Sequence, residues 1–119
     1  MMIVYGIKNC NTMKKAFTWL DEHHIAYEFV DYRNPGLSTE TLQGILKLID
    51  LDDLVNKRST SWRALSDSDK EAVLNPATAI AVLQAHPTLI KRPLIVEGSK
   101  AYVGFSEEAF TQQFVSSLS

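Results

Sequence analysis

The stretch Met2-Ile3-Val4-Tyr5-Gly6, followed by Ile7-Lys8-Asn9-Cys10-Asn11-Thr12 and then by Met13, Ala16, Phe17 and Leu20, decides how this 119-residue chain folds. A short apolar run closed by glycine reads as a buried strand. Apolar residues recurring at i, i+3, i+4 and i+7 form the stripe of an amphipathic helix. Asn9, Asn11 or Thr12 is placed to cap the start of that helix, and His23-His24 sit at its far end, where the dipole favours cations. Ala26 to Tyr32, rich in aromatic and β-branched residues, reads as a second strand, ended by the turn signal Asn34-Pro35-Gly36. Strand, helix, strand is a crossover unit, and crossovers of this kind pair their strands in parallel.

Outward from there the pattern turns helical. Leu42, Ile45, Leu46 and Ile49 repeat the helix stripe after a Ser38 cap, and Ser66-Asp67-Ser68-Asp69 is a capping signal before Ala72-Val73-Leu74. Asn75-Pro76 closes that short helix and opens another, Ala77 to about Ala85, stopped at His86-Pro87. The polar, basic segment Asn56 to Arg63 has no clean period and reads as a loop, with Trp62 as its core anchor. Leu94-Ile95-Val96 and Ala101-Tyr102-Val103 are strands flanking the turn Glu97-Gly98-Ser99-Lys100 and form an antiparallel hairpin. Ser106 with Glu107-Glu108 opens a last helix whose apolar positions are Phe110, Phe114 and Leu118. The order β-α-β, helical insert at about 38–90, β-β-α predicts an α/β fold with a four-stranded mixed sheet.

Composition narrows the function. One domain over residues 1–119 is expected at about 150 residues per domain. Apolar content of 45% and charged content of 22% exclude disordered, collagen-like and coiled-coil chains. Charges of 12 Lys plus Arg against 14 Asp plus Glu, a net −2 with no strongly basic segment, argue against nucleic acid as a partner. The opening residues lack the charged start of a signal peptide, and the longest uncharged stretch, Ala72 to Ile90, is broken by Asn75, Pro76, Gln84, His86 and Pro87. That falls short of the roughly 20 apolar residues a membrane helix needs, so no membrane association is expected. A single cysteine, Cys10, excludes an internal disulfide framework and suits a reducing compartment, so a cytoplasmic location is expected.

Cys10 falls where the first strand turns into the first helix. Free backbone N–H groups and the positive end of the helix dipole favour thiolate there, and Lys8 and Lys14 add positive potential. The competing reading is a small buried hydrophobe, the common fate of a lone cysteine. Arg92, in Lys91-Arg92-Pro93-Leu94, is a planar donor suited to a carboxylate, an oxyanion or a thiol adduct, or else an ordinary surface arginine. Arg58 and Arg63, in a Ser/Thr-rich segment, are a third candidate for an anion, against a solvated loop as the plain alternative. On the residues alone Pro93 is expected trans, because only about 5% of X–Pro bonds in folded proteins are cis. Three histidines and one cysteine give no zinc spacing, so no metal is expected. Ala16 stands where a phosphatase-type loop needs its arginine, and Met13 where a C-x-x-C dithiol needs its second sulfur. Whatever Cys10 does, it does with one protein thiol.

Tyr5-Gly6-Ile7-Lys8-Asn9-Cys10-Asn11-Thr12 with Lys14-Lys15-Ala16, Asp31-Tyr32, Thr60-Ser61-Trp62-Arg63, Lys91-Arg92-Pro93-Leu94 and Val103-Gly104-Phe105 resembles the arsenate-reductase-like (ArsC/Spx) family. Within that family the pattern is most similar to the YffB-type glutathione-dependent thiol reductases. The resemblance implies a thioredoxin-like fold with the helical insert between strands 2 and 3. It implies that Cys10 is the catalytic cysteine, that Arg92 binds the anion, and that Pro93 is a cis-proline facing the sulfur. Lys8 and either Arg58 or Arg63 would join Arg92 around glutathione or the substrate, with Asn11 and Thr12 shaping the site. Arsenate reductases of the family carry a histidine shortly before the cysteine, where this chain has Gly6 and Ile7. They also carry a third arginine beyond the last hairpin turn, where this chain offers Lys100. The implied activity is a monothiol reductase with no bound cofactor. Glutathione is its co-substrate, glutaredoxin a possible partner, and a small anionic or disulfide compound its substrate. The alternatives are a Spx-like, non-enzymatic partner of the transcription machinery and arsenate reduction itself.

Overall fold

A computed structural model describes residues 2–8 and 10–115. Its centre is strand β1 (Met2–Gly6), parallel to β2 (Tyr27–Asp31) on one side and antiparallel to β3 (Leu94–Glu97) on the other. Strand β4 (Lys100–Val103) completes the order β2-β1-β3-β4, antiparallel to β3. Helix α1 (Asn11–Glu22) makes the crossover between the parallel strands. This is the thioredoxin-like α/β arrangement expected from the sequence, with a mixed four-stranded sheet.

Side chains alternate across a strand, so the central strands feed two cores. Met2, Val4 and Ile95 join Met13, Ala16, Trp19 and Leu20 of α1 on one face, with Phe110 and Phe114 from the end of the chain. Tyr5 and Leu94 face the other way, onto Tyr32, Leu42, Leu54, Leu83 and Ile90 of the insert and its flanks. The stripe on α1 runs through Trp19 as well as the expected positions, while Phe17 is only partly buried and stacks on Tyr27 of the neighbouring strand. At the end of α1, His24 takes the left-handed conformation, φ 56°, that stops helices, and His23 Nδ1 lies 2.8 Å from the Trp19 carbonyl.

The insert contains α2 (Thr39–Leu46), α3 (Leu51–Leu54), α4 (Thr60–Arg63), α5 (Asp67–Ala72) and α6 (Pro76–Ala85), then a 3-10 turn over Pro87–Leu89. Ser38, Ser66 and Asn75 accept the helix-start hydrogen bonds that the sequence assigned or allowed them. Two expectations need correction. Asn56 to Arg63 is not all loop, because the Ser59 hydroxyl accepts from the Trp62 amide and starts a turn of helix that seats Trp62, partly buried, against the core. The first residue before α1 is Cys10 itself, with Asn11 and Thr12 already inside the helix, while Asn9 lies outside the described residues. Among the described residues no helix is long and apolar enough to cross a membrane.

At the end of the chain, α7 (Glu107–Phe110), capped by Ser106, passes into a π-helical turn over Thr111–Val115; the expected apolar position Leu118 lies outside the described residues. Phe110 meets Trp19, Phe105 and Phe114 edge-on, with ring centroids 5.2, 4.7 and 5.2 Å apart. Phe110→Ala should therefore cost about 3–5 kcal/mol, the range for deleting a fully buried aromatic, read as a lower urea midpoint at unchanged m-value.

Candidate functional site

Tyr5 of β1 pairs with Leu94 of β3, so the chain leaving β1 and the chain entering β3 emerge side by side at one end of the sheet. Cys10 ends the first of these segments and Arg92-Pro93 ends the second. The Arg92–Pro93 peptide bond is cis, as the resemblance implied and contrary to the trans bond expected on the residues alone. Pro93 is buried, and its carbonyl accepts from the Gly104 amide at 2.9 Å. Gly104 sits at φ +81°, a left-handed conformation that lets the chain leave β4 at the rim of the site.

Cys10 is extended, φ −132° and ψ 128°, and its carbonyl receives the first helical bond, from Lys14 N–H at 3.0 Å. The thiol therefore stands over the open amides of the first turn. It makes no full capping hydrogen bond, as expected of a large, weakly accepting sulfur, yet the nearby amides act on its charge. Burial alone would push the Cys10 pKa up. The amides of Met13 and Thr12, the Arg92 guanidinium and the Thr12 hydroxyl outweigh it together, and the pKa falls below the ordinary thiol value. Partial exposure keeps the sulfur reachable. It opens into a pocket of about 280 Å³ lined by Cys10, Thr12, Asn56, Ile90, Lys91, Arg92 and Gly104.

A family model for the ArsC family matches residues 5–113 of this chain. The chain belongs to the ArsC family. An uncharacterised Haemophilus influenzae protein is 46% identical over 96% of this chain and 99% of its own length. Spx 2 of Bacillus cereus, a global transcriptional regulator, is 27% identical over 91% of this chain and 82% of its own. The solved structure of a protein named YFFB superposes with a TM-score of 0.85 at 40% identity, covering 94% of this chain and 97% of that one. The fold is thus that of the ArsC family.

Of the residues singled out in the sequence, the pocket brings together Cys10, Thr12 and Arg92. Arg58 lies next door, in a depression of about 370 Å³ with Asp52, Val55, Asn56, Lys57 and Lys91, and it shares Asn56 and Lys91 with the Cys10 pocket. Arg63 is directed elsewhere, its Nη2 donating to the Arg58 carbonyl at 3.1 Å. Lys8 and Asn11 are exposed and line neither hollow, while Lys14 lines a groove on the outer side of α1 with Trp19 and Phe105. Lys100 is paired with Glu97 beside the hairpin turn, three residues before Val103 and hence about 10 Å along the strand from the Cys10 end. The rim at the site end of β4 is Gly104.

Sequence reasoning passed over Asn56 and Lys91 as site residues. Both are placed by pairing between segments far apart in the chain: Asn56 N–H donates to the Leu89 carbonyl at 2.8 Å and Lys91 N–H to the Leu54 carbonyl at 2.9 Å, around a bridge between Val55 and Ile90. No local pattern announces such a contact. The Lys91-Arg92-Pro93 run was the only usable signal.

The electrostatics give an ordered expectation. The rate of Cys10 alkylation should rise with pH through a midpoint below that of an ordinary thiol, and both Arg92→Met and Thr12→Val should move that midpoint upward. Lys8→Met should leave it in place. A profile titrating like free cysteine in the wild type contradicts this account of the site.

Proposed function

We propose that the protein is a monothiol reductase that draws its electrons from glutathione. The observation that carries this reading is a partly exposed Cys10 whose thiolate is favoured by helix amides and Arg92, in a pocket with no second cysteine in the chain. The substrate of this scheme is a disulfide between glutathione and a second thiol compound. The Cys10 thiolate attacks the glutathione sulfur, the S–S bond breaks, and the second compound leaves as a thiolate that takes a proton from solvent. A further glutathione thiolate then attacks the glutathione carried on Cys10. Oxidised glutathione departs and the Cys10 thiolate is regenerated, so the substrate gains the two electrons that the glutathiones lose. Glutaredoxin is the protein partner that fits the same exchange chemistry.

Arg92, Lys91 and Asn56 line the wall against which the carried group would rest, and Arg58 extends positive charge into the adjoining hollow, where Lys57 is paired with Asp52 at 3.3 Å. A guanidinium pairs a carboxylate through two parallel N–H bonds, and glutathione carries two carboxylates. Lys8 and Arg63, expected as further contacts, have weaker claims from their placement. An anionic substrate in a reducing cytoplasm remains the fitting setting for a chain with one cysteine.

The similarity to Spx 2 favours a second reading, in which the fold serves as a non-enzymatic partner of the transcription machinery. The two readings part on one residue. Incubation with oxidised glutathione should add a single glutathione at Cys10, visible by mass and removed by excess thiol, and Cys10→Ala should abolish turnover of glutathione mixed disulfides. No adduct, together with a protein partner captured equally by wild type and Cys10→Ala, overturns the reductase in favour of the second reading.

A further inference from the structure

Tyr32 is the largest fully buried side chain among the described residues, and its hydroxyl donates to the Ile90 carbonyl at 3.1 Å across 58 residues of chain. We propose that Tyr32 is a positioning residue for Arg92: it fixes the Ile90-Lys91-Arg92-Pro93 segment so that the guanidinium faces the Cys10 sulfur. The proposal rests on the reading of Cys10 and Arg92 given above.

Val55 and Ile90 face each other in an isolated antiparallel bridge. The two hydrogen bonds of that bridge are made by the residues on either side, Asn56 to Leu89 and Lys91 to Leu54. In an antiparallel pair of this kind the central residues turn their own N–H and C=O away from the partner strand. The Ile90 amide is satisfied within its own turn, by the Pro87 carbonyl at 3.0 Å. Its carbonyl points away from the insert into a region closed to water, since Ile90 is 1% exposed and Tyr32 is fully covered. The Tyr32 hydroxyl is the partner it finds there. Leu89 and Lys91 are thus held from the side of the insert and Ile90 from the side of β2, while Gly104 holds Pro93 from β4. Arg92 is carried between these fixed points.

Two further observations place Tyr32 at the site without letting it react. Its ionisation is held back first by burial; Arg92 favours it and Cys10 opposes it, so all three groups lie within electrostatic reach of one another. The net effect raises its pKa, so the phenol stays a neutral donor. A fully covered hydroxyl already committed to a carbonyl cannot touch a substrate, which rules out proton transfer to a leaving thiolate. Its effect has to pass through the backbone it holds.

The test compares the rate of Cys10 alkylation against pH in the wild type, Tyr32→Phe, Arg92→Met and the double variant, with thermal melts to show that each is folded. Tyr32→Phe should lower the rate about two- to threefold at a pH below the midpoint, in the same direction as Arg92→Met. The double variant should be no slower than Arg92→Met alone, because Tyr32 has nothing left to position. An unchanged profile in Tyr32→Phe overturns the proposal, and so do losses that multiply in the double variant, which would mean direct action on the sulfur. If Tyr32→Phe fails to fold, 4-methylphenylalanine at position 32 fills the hydroxyl's space without donating, and the same comparison applies. Failure of Arg92→Met to shift the profile overturns the reading of the site itself; a shift there without one at Tyr32 overturns only the positioning role.

Discussion

The structure depends on the pairing of β1 with β3. Their antiparallel register, from Met2 against Glu97 to Tyr5 against Leu94, places the exit of one strand beside the entrance of the other. Cys10 and Arg92 are 82 positions apart in sequence and are brought to the same end of the sheet by that pairing. The pairing is deep in the molecule: Val4, Leu94 and Ile95 are at most 1% exposed, with apolar side chains packed on both faces of the sheet. Central strands buried on both sides read as continuous apolar runs, which is why Met2 to Tyr5 and Leu94 to Val96 carry so few polar residues. A register slip would expose a buried face and separate thiol from guanidinium together, so fold and chemistry are guarded by the same contacts.

A second constraint acts at Gly6, the last residue of β1. A Cβ there would run into the Met13 thioether, and Met13 itself is fully buried. Glycine at this point lets α1 come close to the end of the strand, and that closeness sets where the first turn of the helix presents its amides. The sulfur inherits its surroundings from a packing requirement one layer below it.

Much of this was legible in the sequence because its signals were local. The period of Met13, Ala16 and Leu20, the serine caps at 38 and 66, the Asn75-Pro76 start and the hairpin glycine all act within a few residues of where they stand. Cys10 could be placed at a helix start for the same reason. What stayed hidden was non-local. Lys91 and Asn56 acquire their place through the backbone bonds around Val55 and Ile90, and Tyr32 through a carbonyl 58 residues away. The segment Asn56 to Arg63 was misread because one serine hydroxyl can start a single turn too short to show a period. Lys100 does lie just past the hairpin turn, as its place in the chain implies, but chain order does not say that this end of β4 is the one away from Cys10.

The lowered pKa of the sulfur is due in good part to peptide N–H groups of the main chain, with Arg92 and Thr12 adding to them. Amides are common to every amino acid but proline, so mutation cannot readily erase them. Side chains around the pocket can therefore be exchanged while the amides at the helix start stay in place beneath the sulfur. A scaffold that stores reactivity in its skeleton leaves its surface free to evolve.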